Sequence, residues 1–188
     1  PVAVGLHGVA ERGREERRGG MTEAATRSPA SGPGEIGWDV RPARTDDVPA
    51  VAAAVAALLA ELGGTPPARG ALEAETRAHI EDPSLGIVLV AAAGDELVGV
   101  LTASWARAIQ VAGRLLTIEV LWTRRGSRDQ GVGAALVEAL AVAAAAEGAG
   151  RVEVGLPRES FPALRATERF YLANGFERLG PRMRRAVP

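Results

Sequence analysis

Arg128-Asp129-Gln130-Gly131-Val132-Gly133 lies between an apolar strand pattern that ends near Thr123 and a long alanine-rich helix pattern that follows it. Two glycines spaced by one residue allow the backbone to come close to a ligand. A helix starting at about Gly131 offers unpaired N–H groups and the positive end of its dipole, so the stretch reads as a cradle for phosphates. A nucleoside triphosphate loop would end in Gly-Lys-Ser/Thr, whereas Ala134 and Ala135 follow Gly133 here. A dinucleotide fingerprint would place its glycines at the tip of the strand and a small residue three positions on. Here Leu136 holds that position and about seven residues separate Thr123 from Gly131, which leaves only Glu153, about twenty residues downstream, in its favour. The remaining reading is a loop for the pyrophosphate of an acyl-CoA.

Composition narrows the chemistry. The 188 residues are 47 % hydrophobic, enough for one domain with a core, and no stretch has the length of a membrane span. The alanine-rich run 53–60 reads as one buried side of a helix. A formal net charge of −1 gives no global attraction to nucleic acid or to an anionic membrane. Without cysteine there is no disulfide framework, thiolate metal cluster or cysteine nucleophile, and His7 and His79 are too few for a zinc site or a histidine triad. Chemistry therefore falls to Glu, Asp, Tyr, Ser or backbone groups. No signal-peptide pattern opens the chain, so a cytoplasmic setting is expected.

Residues 1–36 are rich in Gly, Pro, Ser and charge, with few large apolar side chains, and are expected to form a disordered arm ahead of a domain over 37–188. The ordered part should start near Trp38, with Asp39, Val40 and Arg41 as a short strand ended by Pro42. A helix follows, capped by Thr45 or Asp46, with Val48, Val51, Val55, Leu58, Leu59 and Leu62 at helical spacing and Gly63-Gly64 as its stop. A second helix is expected over Arg69–Glu81, ahead of Pro83. Ile87–Ala92 and Leu97–Trp105 read as strands of an antiparallel hairpin turning at Gly94-Asp95, and Leu115–Thr123 as a third strand. After the glycine loop come a helix to about Gly148, a strand over Arg151–Leu156 and a helix over Pro162–Asn174 stopped by Gly175. Phe176–Leu179 and Met183–Arg185 read as a closing strand pair.

This element order, with Arg128-x-x-Gly131-x-Gly133 between strand and helix, resembles the GNAT superfamily of acetyl-CoA-dependent N-acetyltransferases. Phe170-Tyr171-Leu172-Ala173-Asn174-Gly175-Phe176 is similar to the family's Tyr-x-x-x-Gly-Phe segment. Leu121-Trp122-Thr123 stands five residues ahead of Arg128, where the family has a bulged strand end whose backbone pairs with pantetheine. The resemblance spans Trp38 to Arg185. It implies an α/β fold of α+β type, with a mixed, mostly antiparallel central sheet of about six to seven strands flanked by about four helices. The sheet would splay between the Leu115–Thr123 and Arg151–Leu156 strands to admit the pantetheine arm. Leu164 stands where the family often has a cofactor-binding Asn, and Arg124-Arg125-Gly126-Ser127 replaces a common proline turn.

The resemblance further implies acetyl-CoA as co-substrate, held by Leu121, Trp122, Thr123, Arg128, Asp129, Gln130, Gly131, Val132, Gly133 and Ala134, with no metal. The expected partner is a small-molecule amine, with a homodimer in keeping with the family. An alkylammonium of pKa about 10.4 is mostly protonated at neutral pH, so transfer to it needs a base. Glu119, flanked by Ile118 and Val120, is the candidate, since apolar neighbours raise a carboxylate's pKa; its plain alternative is a solvent-facing or arginine-paired side chain. Tyr171, the sole tyrosine, is the candidate general acid for the departing thiolate, its plain alternative being packing beside Phe170 and Phe176. A backbone N–H at Leu121 or Trp122 would polarise the carbonyl. No nucleophile is evident, which favours direct transfer. A protein acetyltransferase, and a non-catalytic acyl-CoA binder that would need neither Glu119 nor Tyr171, are the competing readings.

Overall fold

The computed structural model describes residues 26–27 and 37–180. In chain order the elements are β1 (Thr26–Arg27), β2 (Asp39–Pro42), α1 (Val48–Glu61), α2 (Arg69–Glu81), β3 (Gly86–Ala93), β4 (Glu96–Ala108), β5 (Gly113–Thr123), α3 (Val132–Ala146), β6 (Ala149–Val154) and α4 (Leu164–Ala173). The strands form one sheet in the order β1-β2-β3-β4-β5-β6. All neighbours are antiparallel except β5 and β6. That parallel pair needs a crossover, which α3 supplies.

β1 is only two residues long, so among the described residues five longer strands carry the sheet, against the six to seven expected. The difference lies at Phe176–Leu179. Gly175, at φ +82°, turns the chain back onto α4, where the Phe176 N–H donates to Tyr171 O and Arg178 Nε reaches Glu168 Oε1 at 2.7 Å. Phe176–Leu179 is thus tied to a helix and is not a strand; Met183–Arg185 lies outside the described residues. The expected arm, 1–36, is also outside them except for Thr26–Arg27, which pairs with Asp39 and Val40.

The apolar faces of the sheet bury two clusters. On one face Leu89, Ala91, Leu101, Leu116 and Ile118 pack against Val132, Leu136, Val137, Leu140 and Ala144 of α3. On the other, Val88, Val90, Leu97 and Val100 pack against Val51 and Ala54 of α1. Leu101, Leu116, Leu136 and Leu140 are completely buried, each contributing on the order of 1.5–3 kcal/mol from apolar transfer. Gly99 permits the close seating of α3 on β4, because a Cβ there would lie 2.6 Å from Val132 Cγ1 and 2.8 Å from Leu136 Cδ1.

The β3–β4 hairpin turns through Gly94-Asp95 as its sequence indicates, Ala93 pairing with Glu96 and Gly94 adopting φ +61°. The start of α1 differs from expectation. Thr45–Asp47 forms a 3-10 turn, and neither Thr45 nor Asp46 caps the helix. Asp47 instead accepts from the Arg44 N–H at 2.7 Å and grips both terminal nitrogens of Arg41, at 2.6 and 3.0 Å. The hydrogen bond from Arg41 holds the Asp47 carboxyl below the usual range.

Candidate active site

The site begins where two parallel strands part. β6 follows β5 only from Arg114 to Ile118, ending at Val154, while β5 runs on to Thr123. At that point β5 bulges. Val120 pairs with Thr102 and Ile118 with Ala103, leaving Glu119 as the extra residue. Face membership records the change of parity: Leu116 and Ile118 pack on the α3 side and so does Leu121, whereas Trp122 packs on the α1 side. The bulge was expected at Leu121-Trp122. It falls at Glu119, because those two residues keep full register with Leu101 and Val100 of β4.

Beyond the bulge the strand's free edge faces a cleft. The Arg124 N–H donates to Val98 O on β4 at 2.9 Å, while Thr123 O accepts from Arg128 Nε at 3.3 Å on the opposite side. Backbone groups alternate along an antiparallel strand, so Trp122 spends its N–H on the sheet, while Leu121 and Thr123 turn theirs outward. Of the two backbone donors considered for the carbonyl, the register therefore selects Leu121.

The glycine loop closes the cleft at one end. Asp129 and Gly131 both sit in the left-handed region, at φ +62° and +80°. For a non-glycine residue this costs on the order of 1 kcal/mol, strain of the kind found at binding loops. Gly131 is the N-cap of α3, with no side-chain cap, and its carbonyl accepts the first intrahelical bond from the Ala135 N–H. The N–H groups of Val132, Gly133 and Ala134 thus precede the helical ladder and open the helix to an anion. The two glycines have different reasons to be glycine. Gly131 has open space around a would-be Cβ and is required by its φ; a Cβ on Gly133 would meet the Phe170 ring at 3.2 Å, so Gly133 serves the seating of α3 on α4.

A cavity of about 490 Å³ joins these parts. All the residues singled out from sequence except Gln130 line it. The Gln130 side chain turns away and donates to Gly126 O at 3.0 Å, bracing the loop. Glu119 lies on the cavity wall with an exposed side chain, although Ile118 and Val120 are buried. The apolar enclosure expected for it is therefore absent, because the bulge turns the carboxylate out of the sheet while its neighbours face in. Trp122 combines cavity lining with core packing.

Tyr171 is 7 % exposed and sits edge-on between Phe170 and Phe176, both ring centroids at 5.2 Å. Burial pushes its hydroxyl up to about 12. Among the described residues no fully buried side-chain N or O lacks a partner, and no hydrogen bond is found for this hydroxyl. Its oxygen therefore keeps some exposure, and Tyr171 is among the residues that line the cavity. At a pKa of about 12, complete proton transfer to a thiolate of reference pKa about 8.5 is uphill by roughly 5 kcal/mol. A neutral hydrogen-bond donor to developing negative charge is the role this environment suits.

Other lining residues were not visible as site residues in the sequence. Leu58, Glu61 and Leu62 come from the last turn of α1, and Phe161, Thr167 and Asn174 from α4 and its approach. Buried Ser127, in the 3-10 turn Arg125–Ser127, joins them. Only Glu61 carries charge, and it binds Arg128 in a two-pronged ion pair: Nη1 to Oε1 at 3.1 Å and Nη2 to Oε2 at 2.8 Å. This hydrogen bond holds the Glu61 carboxyl below its ordinary value. No cluster of three or more His, Cys, Asp or Glu that could hold a metal occurs among the described residues. Nor, among them, is any helix long and apolar enough to cross a membrane.

A mixed sheet split beside a parallel crossover, with an uncapped helix N-terminus at the split, defines the class: an α/β acyltransferase scaffold. The model of the acetyltransferase (GNAT) family matches residues 55–176, more than half of the chain, and the protein belongs to that family. Its members typically use acetyl-CoA as co-substrate. A possible acetyltransferase from Clostridium difficile 630 superposes with a TM-score of 0.69 at 18 % identity, over 80 % of this chain and 97 % of its own. An aminoglycoside acetyltransferase from an uncultured soil metagenomic sample gives 0.65 at 21 % identity, over 81 % and 100 %. A ribosomal-protein-alanine N-acetyltransferase from Brucella melitensis biovar Abortus 2308 gives 0.63 at 16 %, over 80 % and 99 %. A comparison with curated proteins returns no match.

Proposed function

We propose that this protein is an N-acetyltransferase that moves an acetyl group from acetyl-CoA directly to a primary amine of a small molecule. The observation that carries this reading is the convergence on one cavity of three elements: the free N–H groups of Val132–Ala134, the outward backbone of Leu121 and Thr123, and Tyr171. The residues present fit the co-substrate. Val132, Gly133 and Ala134, with Arg128 beside them, would hold the pyrophosphate, and the free edge of β5 would pair with the pantetheine amides. Bound there, acetyl-CoA supplies an acetyl group activated as a thioester and a thiol leaving group.

The chain's own groups divide the remaining work. Glu119, directly or through a water, takes the proton that makes the acceptor amine neutral. The Leu121 N–H steadies negative charge on the carbonyl oxygen. Tyr171 donates a hydrogen bond to the departing sulfur. The amine nitrogen forms the new C–N bond as the C–S bond breaks; the surplus proton of the acylated nitrogen goes to the departing thiolate, which leaves as the free CoA thiol, and Glu119 returns the proton it took to solvent. The aminoglycoside-acetylating neighbour supports a small-molecule acceptor.

Calorimetric titration of the full chain with acetyl-CoA, CoA and NAD tests the reading. Micromolar binding of both CoA forms and none of NAD is expected, and absence of CoA binding would refute it. Turnover is then read with a thiol reagent across a panel of amines. The chain contains neither cysteine nor lysine, so free CoA is the only thiol released and no lysine of the enzyme competes as acceptor.

A further inference from the structure

The arginine next to the phosphate cradle already has an anion. Arg128 gives one hydrogen from each terminal nitrogen to the two oxygens of Glu61, at 3.1 and 2.8 Å, and its Nε to Thr123 O at 3.3 Å. The end-on fork of the guanidinium, which matches a phosphate as well as it matches a carboxylate, is therefore taken by a residue 67 positions away in sequence. Asp129 adds a second negative charge beside Arg128, and Arg125 adds a positive one near Glu61. The side chains at the cradle thus come close to neutral overall, and a phosphate seeking the arginine meets a carboxylate in its place.

We propose that Glu61 is a built-in competitor for the cofactor's arginine. Its carboxylate must give up the fork of Arg128 when a phosphate of CoA takes it, so Glu61 lowers the affinity for CoA. This rests on the acetyl-CoA reading. The pair is half-exposed, with side-chain exposures of 40 % for Arg128 and 27 % for Glu61, so exchange requires neither unfolding nor repacking of the core. Leu58, Glu61 and Leu62 share one turn of α1 and all line the cavity, so release of the carboxylate also frees that turn from the phosphate loop. Cofactor arrival is in this way mechanically linked to the wall of the cavity opposite Tyr171's helix.

The sign of one measurement separates competition from simple support. Glu61→Gln keeps the shape and removes the charge. CoA should bind the Gln variant roughly threefold to tenfold more tightly at low salt, as expected for relief of one partly exposed charge, and the gain should shrink as salt rises. Glu61→Ala should move in the same direction, with circular dichroism showing both variants folded. Equal or weaker CoA binding by the two variants would overturn the proposal, weaker binding meaning that Glu61 holds Arg128 in place for the phosphate. A gain that persists unchanged at high salt would also overturn it. If CoA binds neither the wild type nor the variants, the acetyl-CoA reading itself falls, an outcome distinct from equal affinities.

Discussion

Replacing Tyr171 by phenylalanine keeps the ring between Phe170 and Phe176 and removes only the hydroxyl, which has no partner to leave stranded among the described residues. The consequences can be worked from burial. A shift from 10.0 to about 12 corresponds to roughly 2.7 kcal/mol in favour of the neutral hydroxyl inside the fold. Because the folded value is the raised one, this stabilisation is fully present below pH about 10 and is lost as pH climbs from there towards 12. As Tyr171 is the only tyrosine, phenolate absorbance reports it alone, and the transition should centre near 12, well above an exposed phenol. Denaturant melts should show wild type losing stability across that interval, with the Phe variant lacking this component. In turnover, loss of one donor to developing charge should lower kcat by about 10²-fold while CoA affinity changes little. A phenolate transition near 10, or a variant with intact kcat and weakened CoA binding, would refute both the burial argument and the role assigned to the hydroxyl.

Two further expectations concern stability. Gly131→Ala should cost about 1 kcal/mol, since only its φ of +80° objects, and Gly131→Asn less, because Asn tolerates that region; at Gly133, where the Phe170 ring is the obstacle, the order should reverse, Ala being tolerated better than Asn. Thermal melts of the four variants check this. Asp47→Asn should lose about 1–3 kcal/mol at neutral pH by breaking the grip on Arg41. Since the Asp47 carboxyl is depressed, the advantage of wild type is present above its unfolded pKa of about 4 and should close as pH falls below it, which urea titrations at several pH values would show.

Most of the element order was legible in the chain. The 3.6-residue spacing of Val48, Val51, Val55 and Leu58 gave α1, and the limits of α2, Arg69 and Glu81, coincide with those expected ahead of Pro83. Gly94-Asp95 fixed a hairpin because a two-residue turn needs a residue content that is local. The glycine loop was readable for the same reason: Gly131 answers to its own φ. The strand expected at Phe176–Leu179 was misread because Gly175, Phe176 and Arg178 answer to α4, a partner that alternation cannot reveal.

What the sequence determined, then, is what one segment can decide alone: helix periods, turn chemistry, and an uncapped helix start after a strand. Tertiary structure decided whatever depends on a second segment. The bulge moved to Glu119 because β4 holds Leu121 and Trp122 in register, and it is this shift that turns the carboxylate out towards the cavity. Gly133 is small because Phe170 lies against it, and Arg128 is neutralised because α1 ends beside it. Backbone preferences act over a few residues and leave their mark in local sequence; packing and ion pairing act through space, between residues whose separation along the chain carries no signal of their contact.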